Sequence, residues 1–278
     1  MTTEARLPTR QLVQPDVPRF DVSELADTTR GALAELLLTM ADDEFVLGFW
    51  DSEWTGIGPM LEEDVAFSSI AQDELGHARI WYEMAAQISG DSADRLAFGR
   101  QPDEFRHAAL VDHPRTDWSF SIARRWMYDT ADSIRLASLA ESSFRPLADV
   151  VAKVRREERY HLLHMDLWLR RLAGGGDESR GRLAAALNTL RPDAHSVFTP
   201  LGGEDELLRA GILTQPMERL AERWAEQAGR VLIDELGFGF SGDGDHSGNR
   251  DHHPPSESFR WLWSEFTSVA RLEEGVEW

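Results

Sequence analysis

Four long stretches of this chain carry an acid in the middle of an apolar helical stripe, and that pattern restricts the fold more than any other feature. Sampled at three-to-four spacing, the stripes are Leu33, Leu37, Met40, Glu44, Leu47; Phe67, Ile70, Glu74, His77, Trp81; Ile122, Trp126, Asp129, Ser133, Leu136; and Val151, Val154, Glu158, His161, Met165. Strand signals are scarce, so the periodicity predicts helices over residues 27–54, 60–89, 117–143 and from Pro146 to before the triple glycine at 174–176. Gly56, Gly58 and Pro59 break the first pair, Gly90 stops the second helix, and Pro146 opens the fourth. A connection of about 27 residues joins the two hairpins. The expected fold is all-α: a ferritin-like four-helix bundle with one long crossover, plus C-terminal accessory helices.

This gives a chain of three parts. Residues 1–26 read as a flexible arm without a hydrophobic signal region, residues 27–175 as the bundle, and residues 176–278 as a helical region packed on it. The last part has expected helices at 178–190, 204–212, 216–236 and 257–272, with a polar, glycine-rich loop at 237–256. No uncharged apolar run reaches membrane-spanning length, and a cytoplasmic location is expected. The formal net charge of −20 reads as a solvated acidic surface and disfavours nucleic acid. There is no cysteine, which excludes thiolate zinc sites and iron–sulfur clusters held by this chain.

The acids fall at matching heights. In an antiparallel hairpin, residues equidistant from the turn lie level. The midpoint between Glu44 and the Glu74/His77 pair falls at about residue 60, beside the Gly58–Pro59 turn. That between Asp129 and the Glu158/His161 pair falls at about residue 144, on the break before Pro146. A Glu-x-x-His puts both side chains on one helix face. Chance gives about one such motif in a chain of this composition, so a third pair, Glu104/His107, in the crossover and without a partner acid, is read as incidental. Four carboxylates and two imidazoles pointing inward are a di-iron or di-manganese ligand set, and two divalent cations offset the cost of burying four acids.

The expected metal ligands are therefore Glu44, Glu74, His77, Asp129, Glu158 and His161, with Glu74 and Glu158 central to catalysis. Asp132 lies one turn from Asp129 and is the alternative ligand. Asp73 and Glu157, each preceding a motif glutamate, could accept the remaining ring N–H of a ligand histidine, including one on the opposite pair. His164 reads as capping the site or facing solvent, and His252–His253 as solvated. Most of the ten tryptophans read as core or interface packing.

The stretches "DEFVLGFWDSEWTGIGPMLEEDVAFSSIAQDELGHARIWYEMAA", "EFRHAALVDHP" and "EERYH" resemble the C-subunit family of the bacterial multicomponent phenylacetyl-CoA epoxidase, and the likeness runs over about residues 40–278. It implies ring 1,2-epoxidation of a CoA-activated phenylacetate by a hetero-oligomer. The implied partners are a related ferritin-like, A-type catalytic subunit together with a small third subunit, plus an NADPH-dependent flavin/iron–sulfur reductase. In that family the C-type chain is usually the structural partner with an eroded metal site. Here the acid at Glu44, both Glu-x-x-His pairs and Asp129 are all kept, and an aspartate at this place resembles the catalytic A-type pattern. Three readings follow: an oxygen-activating component with two iron ions (manganese or a mixed pair being open), a non-catalytic scaffold of the same complex, and an iron-handling ferritin-like protein. No dinucleotide fingerprint is present, so electrons come from elsewhere in any redox reading.

Overall fold

The computed structural model describes residues 17–239 and 254–272, and the described residues are helical, with no strand among them. The helices are α1 (Asp27–Ser52), α2 (Leu61–Ser89), α3 (Ala93–Phe98), α4 (Ala109–Asp112), α5 (Trp118–Leu139), α6 (Arg145–Ala173), α7 (Asp177–Leu190), α8 (Glu204–Arg209), α9 (Met217–Gly229), α10 (Glu257–Phe266) and α11 (Ser268–Leu272). Two antiparallel hairpins, α1/α2 and α5/α6, form the bundle, and one long crossover joins them. No described helix is long and apolar enough to cross a membrane.

The turn chemistry is local. Gly56 takes the left-handed conformation (φ 84°) that closes the first hairpin, and its N–H donates to Asp64 Oδ1 at 2.6 Å. Gly90 ends α2 in the same conformation. Asp117 caps α5 by accepting from the Phe120 N–H, and Pro146 sits in the first turn of α6. Gly48 lets α1 approach α2 beside the site: a Cβ there would lie 3.0 Å from Leu75 Cγ and 3.1 Å from Glu74 Cβ.

The crossover is not a plain connection. It contains α3, α4 and a short 3-10 turn at Pro102–Glu104, and α1 anchors it through two buried aspartates. Asp42 pairs with Arg100 and accepts from the Arg106 backbone N–H at 2.6 Å, while Asp43 accepts from the Ala108 N–H at 2.6 Å. In the Asp42–Asp43–Glu44 run, the first two acids hold the crossover and the third faces the bundle interior.

The C-terminal helices cover this framework. α7 and α9 lie on α5, where Trp224 Nε1 donates to Thr130 Oγ1 at 2.8 Å. α10 lies on the crossover, with Trp263 Nε1 donating to the Arg100 carbonyl at 2.9 Å. The stretch expected as one helix over 216–236 passes from α9 into a π-helical segment, Arg230–Glu235. Of the arm expected over residues 1–26, residues 1–16 lie outside the described region. Residues 17–25 pack on the bundle instead of hanging free: Val17, Phe20 and Leu25 rest on the core, and the Phe20 ring meets Phe144 edge-on at 5.1 Å. Most of the loop expected at 237–256, including His252 and His253, is likewise outside the described residues.

Candidate metal centre

Glu44 on α1, Glu74 and His77 on α2, Asp129 on α5, and Glu158 and His161 on α6 are all buried in the bundle interior, none more than 6% exposed. One ligand atom each from Glu74, Glu158 and His161 lie within 4.8 Å of one another, close enough to hold a single cation. His77 Nδ1 adjoins this group, 3.2 Å from Glu158 Oε1.

The two histidines are held crosswise. His77 on α2 is bonded through Nε2 to Glu157 Oε2 on α6 at 2.6 Å. His161 on α6 is bonded through Nε2 to Asp73 Oδ2 on α2 at 3.2 Å. Each ring thus turns Nδ1 inward and spends Nε2 on an acid of the other hairpin. Trp81 Nε1 donates to Glu44 Oε2 at 2.9 Å, which fixes one oxygen of that carboxylate.

Several buried polar atoms here have no aligned hydrogen-bond partner: both oxygens of Glu74, both of Asp129, Glu44 Oε1 and His77 Nδ1. Such groups are costly when orphaned, and Glu74, with both oxygens in this state, belongs to the tight group with Glu158 and His161. Oxygen and imidazole donors of this kind suit a divalent transition metal. The residues therefore fit a metal ion at Glu74, Glu158 and His161.

Protonation follows the same geometry. Burial would depress the His161 imidazolium, but Glu158, Asp73 and Glu74 outweigh it and push its pKa up to about 12. His77 is raised for similar reasons, led after burial by Glu157 and Glu158. Burial raises the Glu158 carboxyl, yet His161 and His77 hold it well below the usual range. Glu44 and Asp129 are raised by burial, and Asp132 is raised by burial to about 6 despite Arg135.

Sequence reasoning missed the buried arginines. Arg125 on α5 is fully buried, with Nη1 2.7 Å from Glu74 Oε1 and Nη2 2.9 Å from Asp129 Oδ1. These are ion-pair distances, although none of its three guanidinium nitrogens is aligned to donate a hydrogen bond. Arg135 pairs with Asp132 at 2.6 Å and with Asp43 at 2.9 Å, and Arg124 with Asp51 at 3.2 Å. A signal for Arg125 existed, since it stands four residues before Asp129 and three after Ile122, on the inward stripe.

The remaining candidates lie elsewhere. Glu104 is exposed and closes a capping box with the Gln101 N–H at 2.6 Å. His107 is buried against Phe259, with Nε2 3.2 Å from Asp112. His164 bonds Glu63 Oε2 at 2.8 Å and ties α6 to the start of α2.

Residues 20–278 match the family model described as phenylacetic acid catabolic protein. The chain is 36% identical over 185 residues to the C subunit of the 1,2-phenylacetyl-CoA epoxidase of Escherichia coli (strain K12), covering 66% of this chain and 75% of that protein. It is 23% identical over 176 residues to the A subunit of the same epoxidase, covering 63% of this chain and 57% of that protein. With the family model spanning nearly the whole chain, the protein belongs to the phenylacetic acid catabolic protein family.

Proposed function

We propose that this chain is a subunit of an oxygenase assembly that epoxidises the aromatic ring of a phenylacetyl-CoA-type thioester, and that its bundle centre holds iron and takes part in oxygen activation. The observation that carries this reading is the close approach of buried ligand atoms of Glu74, Glu158 and His161, with neither oxygen of Glu74 in an aligned hydrogen bond and both histidines oriented by acids of the opposite hairpin. The names of the two relatives supply the substrate class and the hetero-oligomer, including an A-type partner. Bound iron supplies the electron-transfer chemistry that reduction of O₂ requires. The chain's own contribution is to present Nδ1 of His77 and His161, fix Glu44 through Trp81, and keep bulk water from the buried donors.

Electrons come from a separate NADPH-dependent flavin/iron–sulfur reductase in this reading, and a small third subunit completes the cytoplasmic assembly. The test is reconstitution. The isolated chain with NADPH, O₂ and phenylacetyl-CoA is expected to be inactive, and adding partner subunits and reductase to give ring epoxide. Sustained NADPH-driven turnover by the chain alone overturns the electron supply assigned here.

One observation favours a second reading, a structural chain beside a catalytic A-type partner: Arg125 is paired with two of the expected ligands. Changing Glu158→Ala in this chain within the assembled complex separates the two. Epoxide formation is lost if this centre reacts, and is kept if it is structural.

A further inference from the structure

We infer that Arg125 is a built-in cation standing where a second metal ion would otherwise be needed, so that this centre takes one divalent ion, at Glu74, Glu158 and His161, and not a pair. The inference rests on the reading that the centre holds metal, and deepens it.

Three observations carry it. First, position. Arg125 lies against Glu74 and Asp129, carboxylates from two different helices, both in the expected six-residue ligand set. Its side chain is fully buried, and Asp51 adds a third acid at 3.4 Å from Nη1. The guanidinium is wedged between these acids and has no route to solvent short of opening the bundle.

Second, charge. Arg125 cannot shed its proton, because a guanidinium stays charged in proteins. It touches the oxygens of Glu74 and Asp129 directly, so a second divalent ion bound by those two carboxylates would lie against a fixed positive charge in a low-dielectric core, where like charges repel strongly.

Third, the grouping of donors. Among the described residues, the ligand atoms that converge tightly are those of Glu74, Glu158 and His161; Asp129 is not among them and faces Arg125. Asp129 thus serves as the partner of a cation made of protein.

The experiment loads the full chain anaerobically with Mn(II), removes loose metal, and reads stoichiometry by elemental analysis and nuclearity by electron paramagnetic resonance. Wild type is expected to hold about one ion per chain with the six-line spectrum of an isolated Mn(II). Arg125→Lys, which keeps a cation, is expected to do the same. Arg125→Met is expected to admit a second ion and to show the exchange-coupled spectrum of a pair. Asp129→Asn is expected to weaken metal binding less than about tenfold, against more than about a hundredfold for Glu158→Ala, since losing even an outer partner of a ligand costs up to about a hundredfold. This variant keeps the test open if Arg125→Met does not fold. A coupled pair in wild type, a single ion in folded Arg125→Met, or loss of the ion in Asp129→Asn overturns the inference. No metal in any variant sinks the underlying reading of a metal centre instead, and the two failures are therefore distinguishable.

Discussion

His77 and His161 are charged in the metal-free protein because the acids around them outweigh burial. A histidine whose folded pKa is raised binds more protons when folded than when unfolded. Its contribution to stability is complete below its unfolded value of about 6.5 and fades as pH rises toward the folded value. The chelated protein should therefore lose stability between pH 6.5 and 9, by up to about 1.4 kcal/mol per pH unit for each histidine. Denaturant titrations at several pH values check this, and a flat or rising profile contradicts the charge state assigned. The Glu-x-x-His pairs separate by the same logic. Glu74→Ala and His161→Ala should remove most bound metal, whereas Glu104→Ala should not. His107→Ala should leave metal content unchanged but cost about 1–3 kcal/mol, because it strips a buried partner from Asp112 and a packing surface from Phe259. The periodicity of the sequence brings the acids and histidines to one level and puts Arg125 on the inward stripe, but it does not show that a guanidinium is buried there. Arginine is ordinarily read as a surface residue, and only the three-dimensional crowding of Glu74, Asp129 and Asp51 gives a buried guanidinium its counter-charges.

At the scale of elements, the bundle helices were legible because their ends are set by local chemistry. Gly56, Gly90, Asp117 and Pro146 act within one turn, so α1, α2, α5 and α6 begin and end close to where those residues place them. The crossover was less so. α3 is capped locally by Ser92, but the segment before α4 is fixed by long-range bonds from the Arg106 and Ala108 N–H groups to Asp42 and Asp43, which leave no periodic trace. The π-helical segment after α9 also departs from the 3.6-residue period that predicts a continuous helix. Gly48 gives this scale its sharpest test. Gly48→Val would gain helix propensity, but it would force methyl groups into Leu75, Glu74 and the Ala71 carbonyl. Overpacking of this kind costs about 1–3 kcal/mol and pushes α1 away from α2 at the height of the site. The expected outcome is a lower melting temperature together with weaker metal retention. Unchanged metal affinity in a destabilised variant would show that the α1–α2 spacing does not set the position of Glu74.

Across the whole molecule, apolar packing holds each hairpin together and polar contacts join the hairpins at the centre. Within α1/α2 the contact is continuous, as it is within α5/α6, while α2 and α6 meet mainly through the His77–Glu157, His161–Asp73 and His164–Glu63 pairs. Most described tryptophans are spent on the interior. Trp50, Trp54, Trp81, Trp126, Trp168 and Trp224 are buried and Trp118 and Trp263 partly so, which leaves Trp261, half exposed, as the most accessible interface anchor of this residue type among the described residues. The exposed apolar residues instead include Tyr160, Leu163 and Leu167 on α6, and Leu61 and Val65 on α2. The polar seam has a kinetic consequence. The donors are sealed in, while Glu157 and Asp73 stand partly in solvent above them. An ion can reach Glu74, Glu158 and His161 only if the hairpins part and the histidine ties break. Uptake should then be gated by the protein, not by encounter with the ion: its rate should level off as metal concentration rises. A disulfide engineered between α2 and α6 should slow it by at least about tenfold, with entry and release slowed alike if the equilibrium is untouched. In stopped-flow mixing, a rate that climbs in proportion to metal concentration without limit would show that the ion enters by a path other than this seam.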